Sequence, residues 1–163
     1  MLEPGTEAPS LSLDAADGEH YDLASALAAG PVLLTFFQLE CQTCEMSYLF
    51  WDRAFEEYTG DRFQLWAIGL DSEDDASAFW DKSGVSFPVL FGGHAQVEEW
   101  QLVSTPAHAL IDSDGSVIAS FEAFDRGAWN SMLATVAERL GQAAIDVPAS
   151  EAPEFRPGCT IHT

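Results

Sequence analysis

The chain has 163 residues, with 27 Asp and Glu against five Arg and one Lys, a formal net charge of −21. Such a field repels nucleic acid and anionic membrane, and so excludes both as partners. A hydrophobic content of 47% with eleven Phe and five Trp excludes a disordered body and fits one packed domain, and the longest apolar run, Val32 to Phe37, is too short to span a bilayer. The acids are scattered along the chain, which reads as a solvated acidic surface of the kind that salt screening tolerates, not an acidic binding arm. Three cysteines do not make a disulfide scaffold and point instead to reactivity. The opening Met1-Leu2-Glu3-Pro4-Gly5 has no basic or apolar leader pattern, so the expectation is a cytoplasmic protein, with an exported protein trimmed of its leader as the alternative.

In chain order, Ser10 to Leu13 alternates and is followed by a turn at Asp17-Gly18 and by Tyr21-Asp22, which predicts a small β-hairpin. Leu23 to Ala29 reads as a short helix ended by Gly30-Pro31. Val32 to Gln38 has the apolar, β-branched and aromatic pattern of a strand buried on both faces. A helix follows with Cys44, Tyr48, Trp51, Phe55 and Tyr58 on one stripe and Gly60 beyond it. Arg62 to Leu70 is the next buried strand, and Ser72 with Asp75 resembles a capping box for a helix closed by Gly84. Val97 to Leu102 is a candidate short helix. His108 to Asp112 and Ser116 to Phe121 form a hairpin about Asp114-Gly115. The last helix starts after Asp125, buries Trp129, Met132 or Leu133, Val136 and Leu140, and ends at Gly141. The five Trp fit core stripes. Residues 1–141 thus read as one α/β domain with a mixed sheet, and 142–163 as a proline-containing extended tail, packed on the surface or mobile.

The chemistry gathers at Cys41-Gln42-Thr43-Cys44, where the first buried strand meets its helix. Unpaired N–H groups and the macrodipole at a helix N-terminus favour a thiolate on the first cysteine. The second, one turn on, can attack a mixed disulfide and release a reduced partner. Zinc would require a second ligand pair, and His20, His94, His108 and His162 have no ligand spacing. No metal or organic cofactor is implied.

With these elements the chain resembles the thioredoxin-like superfamily, in its TlpA-like and peroxiredoxin-like redoxin branch, over about residues 4–141. The resemblance is carried by Gly5-Thr6-Glu7-Ala8-Pro9, by Val32-Leu33-Leu34-Thr35-Phe36-Phe37 leading into Cys41-x-x-Cys44, by Ser104-Thr105-Pro106, and by Leu110-Ile111-Asp112-Ser113-Asp114-Gly115. It implies a thioredoxin fold, a central mixed sheet flanked by helices, here with an N-terminal hairpin extension. It also implies a cis-proline at Pro106, with Thr105-Pro106 packed against the cysteines and presenting main chain to the partner. The tail segment Pro157-Gly158-Cys159-Thr160-Ile161 is similar to the Gly-Cys-x-Ile ending of some peroxiredoxin-like members. If it folds back, Cys159 can exchange with Cys41; otherwise it is a stray thiol.

The chain also departs from the family. Glu40 stands where a Trp usually precedes the first cysteine, and its carboxylate opposes a neighbouring thiolate, unless it is simply one more exposed acid. The buried acid that many thioredoxins carry near Thr35 is absent, so proton transfer at Cys44 falls to water or another carboxylate. Aligning Cys44 with the peroxiredoxin P-x-x-x-T-x-x-C pattern leaves Phe37 and Cys41 where Pro and Thr belong. His108 reads as a core or edge histidine, or as one facing the disulfide. The leading expectation is a thiol–disulfide oxidoreductase acting on a protein dithiol or disulfide or on a small thiol. A peroxiredoxin-like thiol peroxidase and a non-catalytic redox-sensing or binding module are the alternatives.

Overall fold

The computed structural model describes residues 1–162. Strands β1 (Ser12–Asp14) and β2 (His20–Asp22) form the N-terminal hairpin, followed by α1 (Leu23–Leu27), β3 (Val32–Phe37) and α2 (Gln42–Tyr58). Next come β4 (Gln64–Gly69), α3 (Glu73–Ser83), β5 (Val89–Leu90), a 3-10 turn at Gly93–Gln96, then β6 (Ser104–Thr105) and β7 (Ala107–Ile111). The chain closes with β8 (Val117–Glu122), β9 (Phe124–Asp125), α4 (Arg126–Leu140), β10 (Phe155–Arg156) and β11 (Cys159–Thr160). The central sheet has the order β5-β4-β3-β7-β8. Within it β3 runs parallel to β4 and antiparallel to β7, which is the expected mixed sheet with its hairpin extension.

Strand β3 explains why the sheet sits at the centre. Every residue of it is buried, and successive side chains leave opposite faces. Leu33 and Phe37 join a core made with α2 and α4, including Trp51, Trp129, Leu133 and Val136. Val32, Leu34 and Phe36 join a second core under the N-terminal segment and α1, with Leu11, Leu23, Trp66 and Trp100. Four of the five Trp are buried as expected, and Trp80 is half-buried.

The helix boundaries follow their caps. Ser72 accepts from the Asp75 amide at 3.2 Å and Asp125 from the Ala128 amide at 2.9 Å. Gly84 and Gly141 end α3 and α4 in the left-handed region, the conformation that glycine adopts without a Cβ penalty.

The expected helix at Val97 to Leu102 is not one. The chain runs from the 3-10 turn into irregular turns, with Gln101 left-handed at φ 53°. Trp100 and Leu102 are both buried, yet residues two apart on a helix point about 200° away from each other. Burying both therefore forces the backbone out of the helix. Strand β5, too short to show a period, was not expected. Nor were the short pairings of the C-terminal segment: β10 with β9, and β11 with β6.

Candidate active site

Strand β3 ends at Phe37 and α2 begins at Gln42, so Cys41 is the N-cap of α2. The two cysteines are joined as a disulfide with their Cα atoms 5.2 Å apart. The Cys44 amide donates to Cys41 Sγ at 3.2 Å, the geometry in which a helix N-terminus stabilises negative charge on sulfur. Both cysteines are fully buried.

The Thr105–Pro106 peptide bond is cis, and this turn between β6 and β7 lies against the pair. Cys41 Sγ is 3.6 Å from the Thr105 carbonyl oxygen, and the Thr105 hydroxyl is 3.7 Å from the same sulfur, placed to donate to it. Strand β7 continues the central sheet beside β3.

A residue that sequence reasoning assigned only to the strand end completes the centre. The Gln38 side chain is buried, and its amide nitrogen donates to Thr105 Oγ1 and to the Thr160 carbonyl, each at 2.8 Å. Its carbonyl oxygen accepts from the His162 amide at 3.0 Å. A buried amide with both donors used is a high-stakes group, because each lost partner leaves a polar atom without water. Gln38 thereby orients the Thr105 hydroxyl toward Cys41 and ties the same point to the C-terminal segment.

That segment covers the disulfide. Both residues between the cysteines hold it: the Thr43 hydroxyl donates to the Pro157 carbonyl at 2.7 Å, and the Arg156 guanidinium donates to Gln42 Oε1 at 3.0 Å. Strand β11 pairs antiparallel with β6, placing Cys159 opposite Thr105 and Thr160 opposite Ser104. Gly158 is required for this approach, since a Cβ there would stand 2.8 Å from the Thr105 carbonyl oxygen and 2.9 Å from Ser104 Oγ. Cys159 is a free, half-buried thiol.

The remaining sequence candidates fall outside this centre. Glu40 is exposed and adopts a left-handed φ of 58°. His108 is a core residue: its Nε2 accepts from Trp51 Nε1 at 3.2 Å, and its ring stacks on Phe121 at 4.3 Å. Burial pushes its pKa down to about 3. The buried polar side chains, Thr35, Gln38, Thr43, Ser47, Thr105 and His108, include no carboxylate among the described residues. Thr35 donates to the Trp66 carbonyl at 3.4 Å.

These features define a thioredoxin-fold domain whose C-x-x-C disulfide caps a helix. The chain belongs to the Redoxin family, whose model matches residues 3–136. Solved structures carry the same fold. A putative thiol:disulfide interchange protein DsbE from Chlorobium tepidum is 24% identical with a TM-score of 0.75, covering 86% of this chain and 100% of that one. An uncharacterised conserved protein from Geobacillus kaustophilus is 20% identical with a TM-score of 0.76, covering 99% of this chain and 92% of that one. The lipoprotein thioredoxin Etrx1 from Streptococcus pneumoniae is 23% identical with a TM-score of 0.69, covering 80% and 99%. No curated protein matches the chain. Among the described residues no helix is long and apolar enough to cross a membrane.

Proposed function

We propose that this chain is a thiol–disulfide oxidoreductase in which Cys41 exchanges with the partner and Cys44 resolves. The observation that carries this reading is the Cys41–Cys44 disulfide at the N-cap of α2, with the Cys44 amide directed at Cys41 Sγ. In the reduced protein that amide and the Thr105 hydroxyl favour a thiolate on Cys41, which attacks a partner disulfide. Cys44, one turn along the helix, then attacks Cys41 Sγ and frees the reduced partner; the reverse sequence oxidises a dithiol. Thr105-Pro106 positions the partner chain. Glu40 is an exposed carboxylate beside the pair and opposes negative charge on Cys41. With no buried carboxylate at hand, the Cys44 proton moves through water.

The partner class is a protein dithiol or disulfide, or a small thiol. The structural likeness to proteins described as thiol:disulfide interchange proteins and thioredoxins supports this class. At a net charge of −21, a neutral or basic partner surface docks with least repulsion.

The test is to equilibrate the protein in dithiothreitol buffers, follow the Cys41–Cys44 pair by alkylation and mass, and assay reduction of a small disulfide-bonded protein. The expected result is reversible two-electron cycling and accelerated substrate reduction, both lost in Cys41→Ser and Cys44→Ser. A pair that cannot be cycled overturns the reading. The cover over Cys41 favours a second reading, a redox-sensing module, whose mark is a pair that cycles without accelerating exchange in any substrate.

A further inference from the structure

Three facts about Cys159 converge. It is the direct antiparallel partner of Thr105, and directly opposed residues project their side chains from the same face, about 5 Å apart. The Thr105 side chain on that face reaches Cys41 Sγ at 3.7 Å. Cys159 also packs against the core cluster that holds Cys41 and Cys44. Of the three thiols only Cys159 has solvent exposure, since Cys41 and Cys44 are fully buried beneath the tail. The tail is held in register at several points, by Gln38, Gln42, Thr43 and the β6 pairing. A nucleophile held in place at close range reacts at an effective concentration far above that of a thiol in solution.

We infer that Cys159 is a third redox residue that relays exchange between outside thiols and the buried Cys41–Cys44 disulfide. This rests on the oxidoreductase reading above. The Cys159 thiolate attacks Cys41 Sγ: a Cys41–Cys159 bond forms, the Cys41–Cys44 bond breaks, and Cys44 leaves as a thiolate that takes up the proton Cys159 gave to water. No electrons enter or leave in this step. A partner dithiol then attacks Cys159 Sγ, Cys41 leaves as a thiolate, and the partner's second thiol closes the partner disulfide and frees Cys159. In sum the partner loses two electrons and two protons, and Cys41 and Cys44 gain them. The tail thus carries the reacting sulfur outward on β11, so exchange does not require a partner to reach a sulfur with no exposed surface.

The decisive experiment treats full-length Cys44→Ser with oxidised glutathione and maps disulfides by non-reducing proteolysis and mass spectrometry. The expected product is a Cys41–Cys159 bond with release of glutathione, formed through a Cys159–glutathione adduct at least tenfold faster than glutathione adds to Cys41 in Cys44→Ser/Cys159→Ser. Glutathione stably retained on Cys41, with Cys159 still open to alkylation in the folded protein, overturns the inference. The same relay is read without touching Cys44. Reduction of the wild-type disulfide by glutathione should slow at least tenfold in Cys159→Ser, and an unchanged rate again overturns it. These outcomes are separable from the oxidoreductase reading, which fails if dithiothreitol cannot cycle the wild-type Cys41–Cys44 pair or if the cycling pair accelerates exchange in no substrate.

Discussion

The two ends of the chain are both added to the central sheet, and they are attached by different physics. The N-terminal segment buries Leu2, Leu11 and Ala15 into the second core, and a fully buried leucine is worth about 1.5–3 kcal/mol in apolar transfer alone. The end of the tail, residues 153–162, contains no fully buried residue. It is held by hydrogen bonds with Gln38, Gln42 and Thr43 and by the two-residue pairings of β11 with β6 and β10 with β9, each bond worth a net of about 1 kcal/mol, with Cys159 and Ile161 only partly buried against the two cores. Between them lies an anchored stretch in which Val147 and Ala152 are buried in the first core and Arg53 pairs with Glu151. The first attachment is therefore part of the fold, while the second extends from an anchored base on mostly polar contacts, and it lies over the cysteines.

The largest effect that can break this contrast is on the N-terminal side. Leu11→Ala should lower global stability by about 2–5 kcal/mol through lost transfer energy and a residual cavity, read from the urea midpoint. Alkylation of reduced Cys41 under native conditions should stay near its wild-type rate. Gly158→Val should do the opposite. Its Cβ meets the Thr105 carbonyl and Ser104 Oγ, so β11 must leave β6, and one or two lost hydrogen bonds of about 1–1.5 kcal/mol each should raise the native alkylation rate of reduced Cys41 by roughly 10- to 100-fold. The urea midpoint should fall by no more than those lost hydrogen bonds account for, less than in Leu11→Ala. A Gly158→Val protein with Cys41 still protected would show that the tail is not the cover.

The contrast also predicts a difference in pH response. His108 is locked in the first core, and its pKa is lowered from 6.5 to about 3 by burial. The unfolded chain takes up a proton near pH 6.5 while the native state refuses it down to about pH 3. The stability contributed by the neutral ring is thus complete above pH 6.5 and falls as pH drops through that window, by about 1.4 kcal/mol per pH unit once the unfolded histidine is charged. Urea titrations between pH 6.5 and 5, above the main carboxylate range, should show the fall. His108→Gln, which keeps an acceptor for Trp51, should flatten it. Protection of Cys41 by the tail, which involves no buried titratable group, should be nearly constant over the same range.

How far each region was legible in the sequence follows the same division. The buried strands, the capped helices and Cys41-x-x-Cys44 were legible because each rests on local pattern, apolar runs, caps and motif spacing, and Thr105-Pro106 was legible through the family resemblance. The docking of the tail was not. A two-residue strand has no period, and its holding contacts join Gln38 to Thr105 and Thr160 across 67 and 122 residues. Gln38 itself stands at the end of an apolar run, where a polar residue reads as a strand terminus. Its one distinguishing signal is that it sits just before the motif and is buried, and burial is a property of the folded chain. The reading of Val97 to Leu102 as a helix failed for the converse reason, since Trp100 and Leu102 are drawn into one core that a helix cannot serve with both.

The smallest predicted effect sits where the two attachments are furthest apart in kind, at the loop between β3 and α2. Glu40 is exposed, left-handed at φ 58° and directly precedes the disulfide. The loop around it is held by the Leu39 amide donating to Asp71 at 2.7 Å, so the backbone is fixed there whatever residue 40 is. A non-glycine residue in that region is strained, and Asn tolerates it better than Glu. Glu40→Asn should therefore raise stability by about 0.5–1 kcal/mol, read from the urea midpoint. It also removes a negative charge next to Cys41. If that charge opposes the thiolate, the alkylation rate of reduced Cys41 in the Gly158→Val background, where the tail no longer limits access, should rise at neutral pH and fall back toward the parent value at high salt. A stability gain with no change in reactivity would confine Glu40 to a strained exposed position.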